Sequence, residues 1–297
     1  MRDNIRDVPS ERASTFWLDF EETLMLVRRT IPAFLMFAGL PLACATGAQR
    51  LPDTEVTRVG EFTAYLIDPT TRYDHGVLGD AIEAGGFVVE RNGRRLTYRL
   101  PKDAVFEDRR VRLADLDGDG VTEAILVKSY VRRGAAIAVF TLRNGIEPLA
   151  ESPAIGNGHR WLNLVGVGNF TGTGEMTIAA VLTPHLEGSM RLYRLESGSL
   201  VEIARIDGFT NHILGSRNLD LARLHDIDRD GTPDVVLPSL DRRELAAVSF
   251  RAGKAVQIRR VSSVGPIVAV DSVLGGVATV TLENGTRDTI DLNAEGR

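Results

Sequence analysis

Apolar residues occur along most of this chain in short runs of four to seven, and polar turns separate the runs. This spacing is typical of many short β-strands rather than of amphipathic helices, in which apolar positions recur every three to four residues. Five of the runs lead into a tight turn that ends in glycine and is followed by another strand-like segment, so we predict five β-hairpins. Their turn glycines are Gly93, Gly145, Gly198, Gly253 and Gly285.

The five hairpins repeat at a nearly constant interval, because their turn glycines are separated by 52, 53, 55 and 32 residues. A unit of this length with four short strands is one blade of a β-propeller, so the pattern predicts an all-β fold with five blades over residues 49–297. The short last interval predicts an incomplete fifth blade. We expect strand 61–67 to close the ring by pairing with the C-terminal blade. An open stack of blades is the alternative, which would leave strand edges unprotected.

A second repeated element, which contains closely spaced carboxylates, comes before three of the hairpins. In two copies, acidic residues occupy positions 1, 3, 5 and 9, glycine occupies position 6, and position 7 can offer a backbone carbonyl. Oxygen ligands at this spacing wrap around a hard cation such as Ca²⁺. The predicted ligands are Asp115, Asp117, Asp119, Val121 and Glu123 in the first copy, and Asp226, Asp228, Asp230, Thr232 and Asp234 in the second. A solvated turn without metal is the alternative interpretation of each loop.

The same ligand order begins an EF-hand loop, but an EF-hand also needs a bidentate glutamate at position 12. Leu126 and Leu237 occupy that position here, and β-type sequence follows each loop. A strand–loop–strand arrangement with these ligands resembles the FG-GAP/VCBS repeats, including those of integrin heads, over most of residues 70–292. The resemblance implies a calcium-binding β-propeller, and the two complete loops imply two Ca²⁺ ions.

The middle copy of the loop, residues 169–177, departs from this pattern. It keeps the glycine at position 6, but Asn169, Thr171, Thr173 and Thr177 replace all four carboxylates. Neutral oxygens alone offer little charge to offset the dehydration of a divalent cation. We therefore expect this loop to keep the fold but to hold no ion.

The longest apolar stretch, residues 30–43, follows Arg28 and Arg29 and precedes small residues. It is too short for a membrane-spanning helix, which needs about 20 residues, but it fits the apolar core of a secretory signal. Acidic residues before this stretch make Met25 the better start. We therefore expect residues 1–48 to be an extension with a cleavable signal, and the protein to be exported, periplasmic or secreted. A lipoprotein anchored through Cys44 and a buried N-terminal helix are the alternatives.

The charge balance and the missing motifs limit the possible functions. The chain has 40 acidic and 35 basic residues and a net charge of −5, so its bulk charge does not attract nucleic acid. Cys44 is the only cysteine, so the mature chain predicted here has no cysteine nucleophile. The sequence also contains neither Gly-x-Ser-x-Gly nor His-Glu-x-x-His, and it predicts no catalytic residues.

Strand direction places a further group of residues on one rim of the predicted propeller. If the acidic loops join the first and second strands of each blade, the entry to the first strand lies at the opposite rim. That rim carries His159, Trp161, His185, His212 and Arg217. We predict that these residues bind an unidentified protein, glycan or other anionic ligand. A periplasmic lyase or hydrolase that uses these histidine and arginine groups is the alternative, which convergence of the side chains on a deep channel would favour.

Overall fold

The computed structural model describes residues 48–294, which form twenty β-strands and contain no helix. This part of the chain accordingly has no helix that is long and apolar enough to cross a membrane. The predicted signal segment, the start at Met25 and the alternative lipid attachment at Cys44 all lie outside the described residues.

The strands form antiparallel sheets, and the first sheet contains nine of them. They are β1 (Thr57–Val59), β2 (Phe62–Thr70), β3 (Glu83–Arg91), β4 (Arg94–Arg99), β5 (Ala104–Phe106), β6 (Arg112–Ala114), β7 (Glu123–Tyr130), β8 (Gly134–Thr141) and β9 (Glu147–Glu151). Strands β1–β4 and β6–β9 each form a four-stranded meander. Strand β5 joins the two meanders by pairing with β3 and β7.

The remaining strands form three separate sheets. These comprise β10 (Leu162–Gly168), β11 (Thr177–Leu182), β12 (Ser189–Glu196) and β13 (Ser199–Ile206); β14 (Arg223–His225), β15 (Asp234–Pro238), β16 (Glu244–Arg251) and β17 (Lys254–Ser262); and β18 (Ile267–Leu274), β19 (Val277–Leu282) and β20 (Arg287–Asp291). The repeat is thus present as five units, defined as β1–β4, β6–β9, β10–β13, β14–β17 and β18–β20. The last unit has three strands, as the short final interval predicts.

All five predicted hairpins are present, as β3–β4, β8–β9, β12–β13, β16–β17 and β19–β20. Three of them have two-residue turns in which both central residues have positive φ: Asn92-Gly93 (50° and 76°), Ser197-Gly198 (48° and 78°) and Ala252-Gly253 (47° and 72°). Positive φ at both positions matches the right-handed twist of the flanking strands. The other two Asn-Gly pairs, at 144–145 and 284–285, lie in longer connections.

The expected ring-closing role of strand 61–67 is wrong. Residues 62–67 belong to β2, which pairs with β1 and also with β3 inside unit 1, from Phe62 opposite Arg91 to Thr70 opposite Glu83. Both edges of the strand are therefore already hydrogen-bonded to its neighbours along the chain. Pairing with adjacent segments needs only short connections, which makes it more accessible than pairing with a distant C-terminal sheet.

Four apolar clusters lie between successive units. Phe87, Phe106 and Phe140 pack edge to face between units 1 and 2, with ring centroids 5.2–5.9 Å apart. Phe170 and Phe250 do the same between units 3 and 4, with a centroid distance of 5.9 Å. Strands β7, β11 and β15 are buried along nearly their whole length. Both of their faces are covered, which is why they read as continuous apolar runs.

Unit 5 has only one apolar face, whereas the outer face of unit 1 combines polar residues with the buried Val88, which lies opposite Tyr65. In β19, buried apolar residues alternate with the half-buried Thr279 and Thr281. On the outer face of unit 1, the Tyr65 hydroxyl donates to Glu90 over 2.8 Å, and the Arg95 guanidinium lies over the Tyr65 ring. Polar outer faces are typical of the terminal repeats of a stack. Within residues 48–294, no strand pairing or apolar cluster joins unit 1 to unit 5.

Candidate functional site

The first acidic loop, residues 115–123, connects β6 to β7 and brings three carboxylates together. One oxygen each of Asp115, Asp117 and Glu123 lies within 4.8 Å of the others, a spacing that could hold a metal ion. The turn is held by backbone N–H groups of Gly118 and Gly120, which donate to Asp115 over 2.8 and 3.0 Å. Both glycines have positive φ, 73° and 81°, which a residue with a side chain adopts only under strain.

The second acidic loop, residues 226–234, connects β14 to β15 and repeats two backbone contacts of the first loop. One oxygen each of Asp226, Asp228 and Asp230 lies within 4.8 Å of the others. Gly231 N–H donates to Asp226 over 2.9 Å, as Gly120 does to Asp115. Ile227 N–H donates to Asp234 over 2.8 Å, as Leu116 does to Glu123 over 2.9 Å.

The loop that lacks carboxylates, called the Asn169 loop here, connects β10 to β11 at residues 169–177. Gly174 N–H donates to the Asn169 side chain over 3.2 Å, which repeats the glycine contact of both acidic loops. The hydroxyl groups of Thr171 and Thr173 hydrogen-bond to each other over 2.8 Å. The frame of the loop is therefore independent of the carboxylates, and the acidic residues change its charge rather than its path.

Burial disfavours the charged form of two carboxylates in the acidic loops and leaves two carboxylate oxygens without a hydrogen-bond partner. Glu123 is buried, and this burial, together with the neighbouring carboxylates of the loop, raises its pKa to about 7. Burial likewise raises the pKa of Asp234. Oδ1 of Asp228 and Oδ1 of Asp234 are both buried without a hydrogen-bond partner. A bound cation would satisfy the Asp228 oxygen and stabilise the charged carboxylates around it, so the residues fit a metal ion.

Two predicted ligands lie outside the carboxylate groups that could hold a metal. Asp119 contacts the guanidinium of Arg143, and Asp234 is not among the three residues of the second group. In the second loop, Arg251 contacts Asp228 and also Asp230, the latter over 3.1 Å. The sequence reasoning missed both arginines, although each follows the same strand position of its unit.

Strand register makes Arg143 and Arg251 equivalent. Arg143 lies two residues beyond Thr141, which pairs with Glu123. In the second loop, Val235 pairs with Val248, which places Ser249 opposite Asp234. Arg251 lies two residues beyond Ser249. In the unit with the Asn169 loop, this position is occupied by Glu196, two residues beyond Arg194, which pairs with Thr177. The position is basic where the loop is acidic and acidic where the loop is neutral.

A second feature, called the histidine pocket here, lies at the opposite ends of the strands. It is a cavity of about 230 Å³ lined by His75, His159, Arg160, Trp161, Thr183, Pro184, His185, Leu186 and Leu214. Residues 159–161 immediately precede β10, and residues 183–185 follow β11, whereas the Asn169 loop joins the other ends of these two strands. His159 and Thr183 have positive φ, 56° and 46°, although neither is glycine. Such backbone strain is concentrated at functional sites in proteins.

The structure brings four of the five predicted rim residues together. His159, Trp161 and His185 line the pocket, and the buried His212 lies behind them, with its Nδ1 2.9 Å from His185 Nε2. Trp161 is only 3 % exposed and forms part of the wall. Arg217 lies elsewhere: it pairs with Asp53 and Asp80 and lines a separate cavity.

Sequence reasoning missed His75 and Glu107, which complete the pocket. His75 lies between β2 and β3, and its Nδ1 is 2.6 Å from Oε1 of the buried Glu107. The other oxygen of Glu107 accepts from the Ser129 hydroxyl over 2.6 Å, and its backbone carbonyl accepts from Trp161 Nε1 over 3.0 Å. One residue thus fixes both an imidazole and the indole of the pocket. The available signal was the acidic residue in the otherwise apolar run 104–107.

Burial also controls the charge of the pocket. It lowers the pKa of His185 and of His212 to about 4, so both imidazoles are neutral near pH 7. Burial and the nearby Glu107 raise the pKa of Tyr73, whose backbone carbonyl contacts His159. Burial raises the pKa of Glu83, which accepts a hydrogen bond from the His75 backbone N–H over 3.3 Å.

No family model matches the chain, and no curated protein matches it either. Among solved structures, the chain is similar to rhamnogalacturonan lyase YesW, with 17% sequence identity and a TM-score of 0.53. The similarity covers 83% of this chain and 49% of that protein, so the chain spans about half of its length. At this identity the similarity shows a shared all-β fold and nothing about activity.

Proposed function

We propose that this protein is a calcium-binding β-propeller-type repeat protein that binds a ligand in the histidine pocket. The observation that supports this proposal is that the two ends of the strands carry different chemical groups. One end carries two acidic loops, each with three carboxylates that could hold a metal ion. The other end carries a cavity in which three histidines and a tryptophan meet. The ions would stabilise the loops, and the cavity would present the binding groups.

Calcium is the proposed ion because the two groups offer only carboxylate oxygens. Hard cations prefer such ligands, and a flexible loop with several carboxylates suits Ca²⁺ better than the smaller Mg²⁺. Asp115, Asp117 and Glu123 would hold one ion, and Asp226, Asp228 and Asp230 the other. Asp119, Val121, Thr232 and Asp234 remain candidate ligands in the same loops.

The five units are proposed to be blades, consistent with the resemblance to FG-GAP/VCBS repeats. Export remains part of the proposal, because sites in extracellular modules bind Ca²⁺ at about 10⁻⁴–10⁻³ M and fill only outside the cytosol. Among residues 48–294, the polar outer face of unit 5 and the absence of strand pairing between units 1 and 5 support an open stack of blades.

An enzyme is the second candidate, and one observation favours it. His75 is held by the buried Glu107, and a carboxylate in this position orients an imidazole for proton transfer. Turnover of a ligand of the pocket that is lost in both His75→Ala and Glu107→Gln, while the ligand still binds, would establish this alternative. If the parent protein binds the ligand without turning it over, the enzyme is excluded and the protein acts as a binding module.

The proposed function can be tested with a glycan and protein array. The parent, His159→Ala and Arg217→Ala are compared, after equal melting temperatures in calcium establish that each is folded. His159 lines the pocket and is exposed, so its truncation should weaken capture at least tenfold, which is typical of a central contact. Arg217 lies outside the pocket and serves as the control, with unchanged capture. Loss with Arg217→Ala and not with His159→Ala would place the binding surface elsewhere.

A further inference from the structure

Hydrogen bonds to obligate acceptors determine which ring nitrogens of the pocket carry protons. A carbonyl oxygen can only accept, so His159 Nε2, which is 3.1 Å from the Tyr73 carbonyl, must be the protonated nitrogen of that ring. The Nδ1 of His75 donates to the Glu107 carboxylate over 2.6 Å for the same reason. In its neutral form, each of these rings has one remaining nitrogen, which is a bare acceptor.

The imidazoles of His212 and His185 are hydrogen-bonded to each other, and their partners fix their tautomers in the same way. His212 Nε2 is 2.8 Å from the carbonyl of Ser216 and must therefore donate to it. Because His212 is neutral near pH 7, its Nδ1 is unprotonated and accepts from His185 Nε2 at 2.9 Å. His185 is neutral as well, so its Nδ1 is left as a bare acceptor. The relay from Ser216 through His212 thus fixes the tautomer of the ring that lines the pocket.

The three acceptor nitrogens belong to rings around one cavity. They are His75 Nε2, His159 Nδ1 and His185 Nδ1, and none of them has a hydrogen-bond partner among residues 48–294. Glu107 and His212 are buried, so the free nitrogens of His75 and His185 lie on the ring sides away from these buried partners. Around the cavity, Arg160 is the one charged donor. With neutral rings, the pocket therefore offers three acceptor nitrogens, which suit hydroxyl donors.

A single metal ion does not fit these nitrogens. Within the described residues, the groups of three or more potential ligands that lie within 4.8 Å of one another are the two acidic ones. The three imidazole nitrogens are therefore too widely spaced to share one ion, but they can contact different hydroxyl groups of one small ring. The cavity of about 230 Å³ lies below the ~300–1,000 Å³ of drug-sized sites, which favours a small ligand. Leu186 and Leu214, both exposed, border it and can cover an apolar C–H face.

We propose that the histidine pocket binds a neutral, hydroxyl-rich ring such as a single sugar residue, through acceptor contacts from His75, His159 and His185. This inference rests on the proposed function, because it names the class of ligand that the same pocket takes. The sugar hydroxyls donate to the three imidazoles, and the apolar border contacts the ring face. A carboxylate has no proton to donate, so a charged sugar could not replace a hydroxyl donor at neutral imidazole nitrogens.

The tautomers are tested first, by long-range proton–nitrogen NMR correlation of the imidazoles in uniformly ¹⁵N-labelled protein at pH 7. We expect the Nε2–H tautomer for His159, His185 and His212, and Nδ1–H for His75. Double protonation of His75, His159 or His185, or the Nδ1–H tautomer of His185, would overturn the inference. This measurement needs no ligand and does not depend on the proposed function.

Ligand class is tested on the same signals with methyl glucoside, methyl galactoside and methyl mannoside, each compared with its uronate. Neutral glycosides should shift the ring nitrogens of His75, His159 and His185, and the uronates should bind at least several-fold more weakly. Loss of one acceptor in His159→Leu should weaken binding about fivefold, as expected for one hydrogen bond. His159→Gln retains an acceptor oxygen, so its affinity for the neutral glycosides should lie between those of His159→Leu and the parent. Arg217→Ala should bind them as the parent does.

The outcomes separate the two proposals. Shifts caused by the uronates and not by the neutral glycosides would leave the pocket as a binding site and overturn the acceptor account. No ring shift from any neutral glycoside would also overturn it. If, in addition, His159→Ala leaves array capture unchanged, the proposed function fails as well.

Discussion

The acidic loops and the histidine pocket lie at opposite ends of the strands and manage buried charge in opposite ways. Burial shifts the groups at both ends towards neutrality: it raises the pKa of Glu123 to about 7 and lowers that of His185 to about 4. At the acidic end, a cation can restore the charged form. At the histidine end, a relay of hydrogen bonds through His212 satisfies the neutral form. The carboxylates of the acidic loops thus need a cation to favour their charged form, whereas hydrogen bonds within the protein already satisfy the neutral His185 and His212.

The largest expected effect is the pH dependence of the histidine end. The pKa of His185 and of His212 is about 4 in the folded protein and ordinarily 6.5, so between these values the unfolded chain takes up protons that the folded chain does not. The contribution of these two histidines to stability is therefore intact above pH 6.5 and falls as the pH decreases. Between pH 7 and 5, the loss should be roughly 2 kcal/mol for each histidine that titrates independently. Urea denaturation across this range in saturating calcium measures it, because calcium holds Glu123 in its charged form and so removes the opposing effect of its raised pKa.

The control for this prediction is His212→Gln, whose amide can donate to the Ser216 carbonyl and accept from His185. It removes one of the two titrating groups, so its stability should fall less steeply with pH than that of the parent. Equal slopes in the two proteins would show that the histidine pair does not control the pH dependence.

The second prediction concerns calcium at the acidic end. Free calcium at 10 to 100 times Kd should stabilise the fold by ~1.4–2.7 kcal/mol for each occupied site. Asp228→Ala removes a carboxylate of the second group, so it should abolish the calcium-dependent stabilisation that this site contributes. Thr171→Ala, in the Asn169 loop, should leave the calcium-dependent stabilisation unchanged. Thermal melting with calcium and with chelator compares the three proteins. A parent melting temperature that chelator does not move would show that the loops are solvated turns.

Much of the acidic end could be predicted from the sequence, because its chemistry is local. The carboxylates, the glycines that permit the turn, and the backbone groups that hold it all lie within nine residues, as in 115–123. The hairpins were predictable for the same reason, since Gly93, Gly198 and Gly253 supply positive φ in turns of two residues. The fold class follows from the repetition of these local elements.

The pocket and the closure of the fold could not be predicted, because they depend on contacts between distant segments. Glu107 meets His75 across 32 residues and meets Trp161 across 54. Strand direction placed His159, Trp161, His185 and His212 at one end, but it could not show that Arg217 is held by Asp53 and Asp80. The pairing of strand 61–67 also depended on which neighbour satisfies its edges, and a periodic pattern does not contain that information.

The smallest expected effect sharpens the comparison within the acidic end. Arg251 contacts Asp228 and Asp230, so a cation must displace it or share these oxygens with it. Because the guanidinium is half-exposed, the pair is worth at most about 1 kcal/mol. Arg251→Gln should therefore raise calcium affinity by up to about fivefold. Arg194→Gln, beside the Asn169 loop, should not change it, and weaker binding in Arg251→Gln would mean that the arginine supports the ion.

Calorimetric titration of the chelator-treated parent protein with calcium tests the central claim most directly. The account predicts a stoichiometry near two, from the loops that contain Asp117 and Asp228, with no third ion in the Asn169 loop. Each of Asp117→Ala and Asp228→Ala should reduce the stoichiometry to one. A parent stoichiometry of zero, or a value of two that neither substitution lowers, would contradict the account.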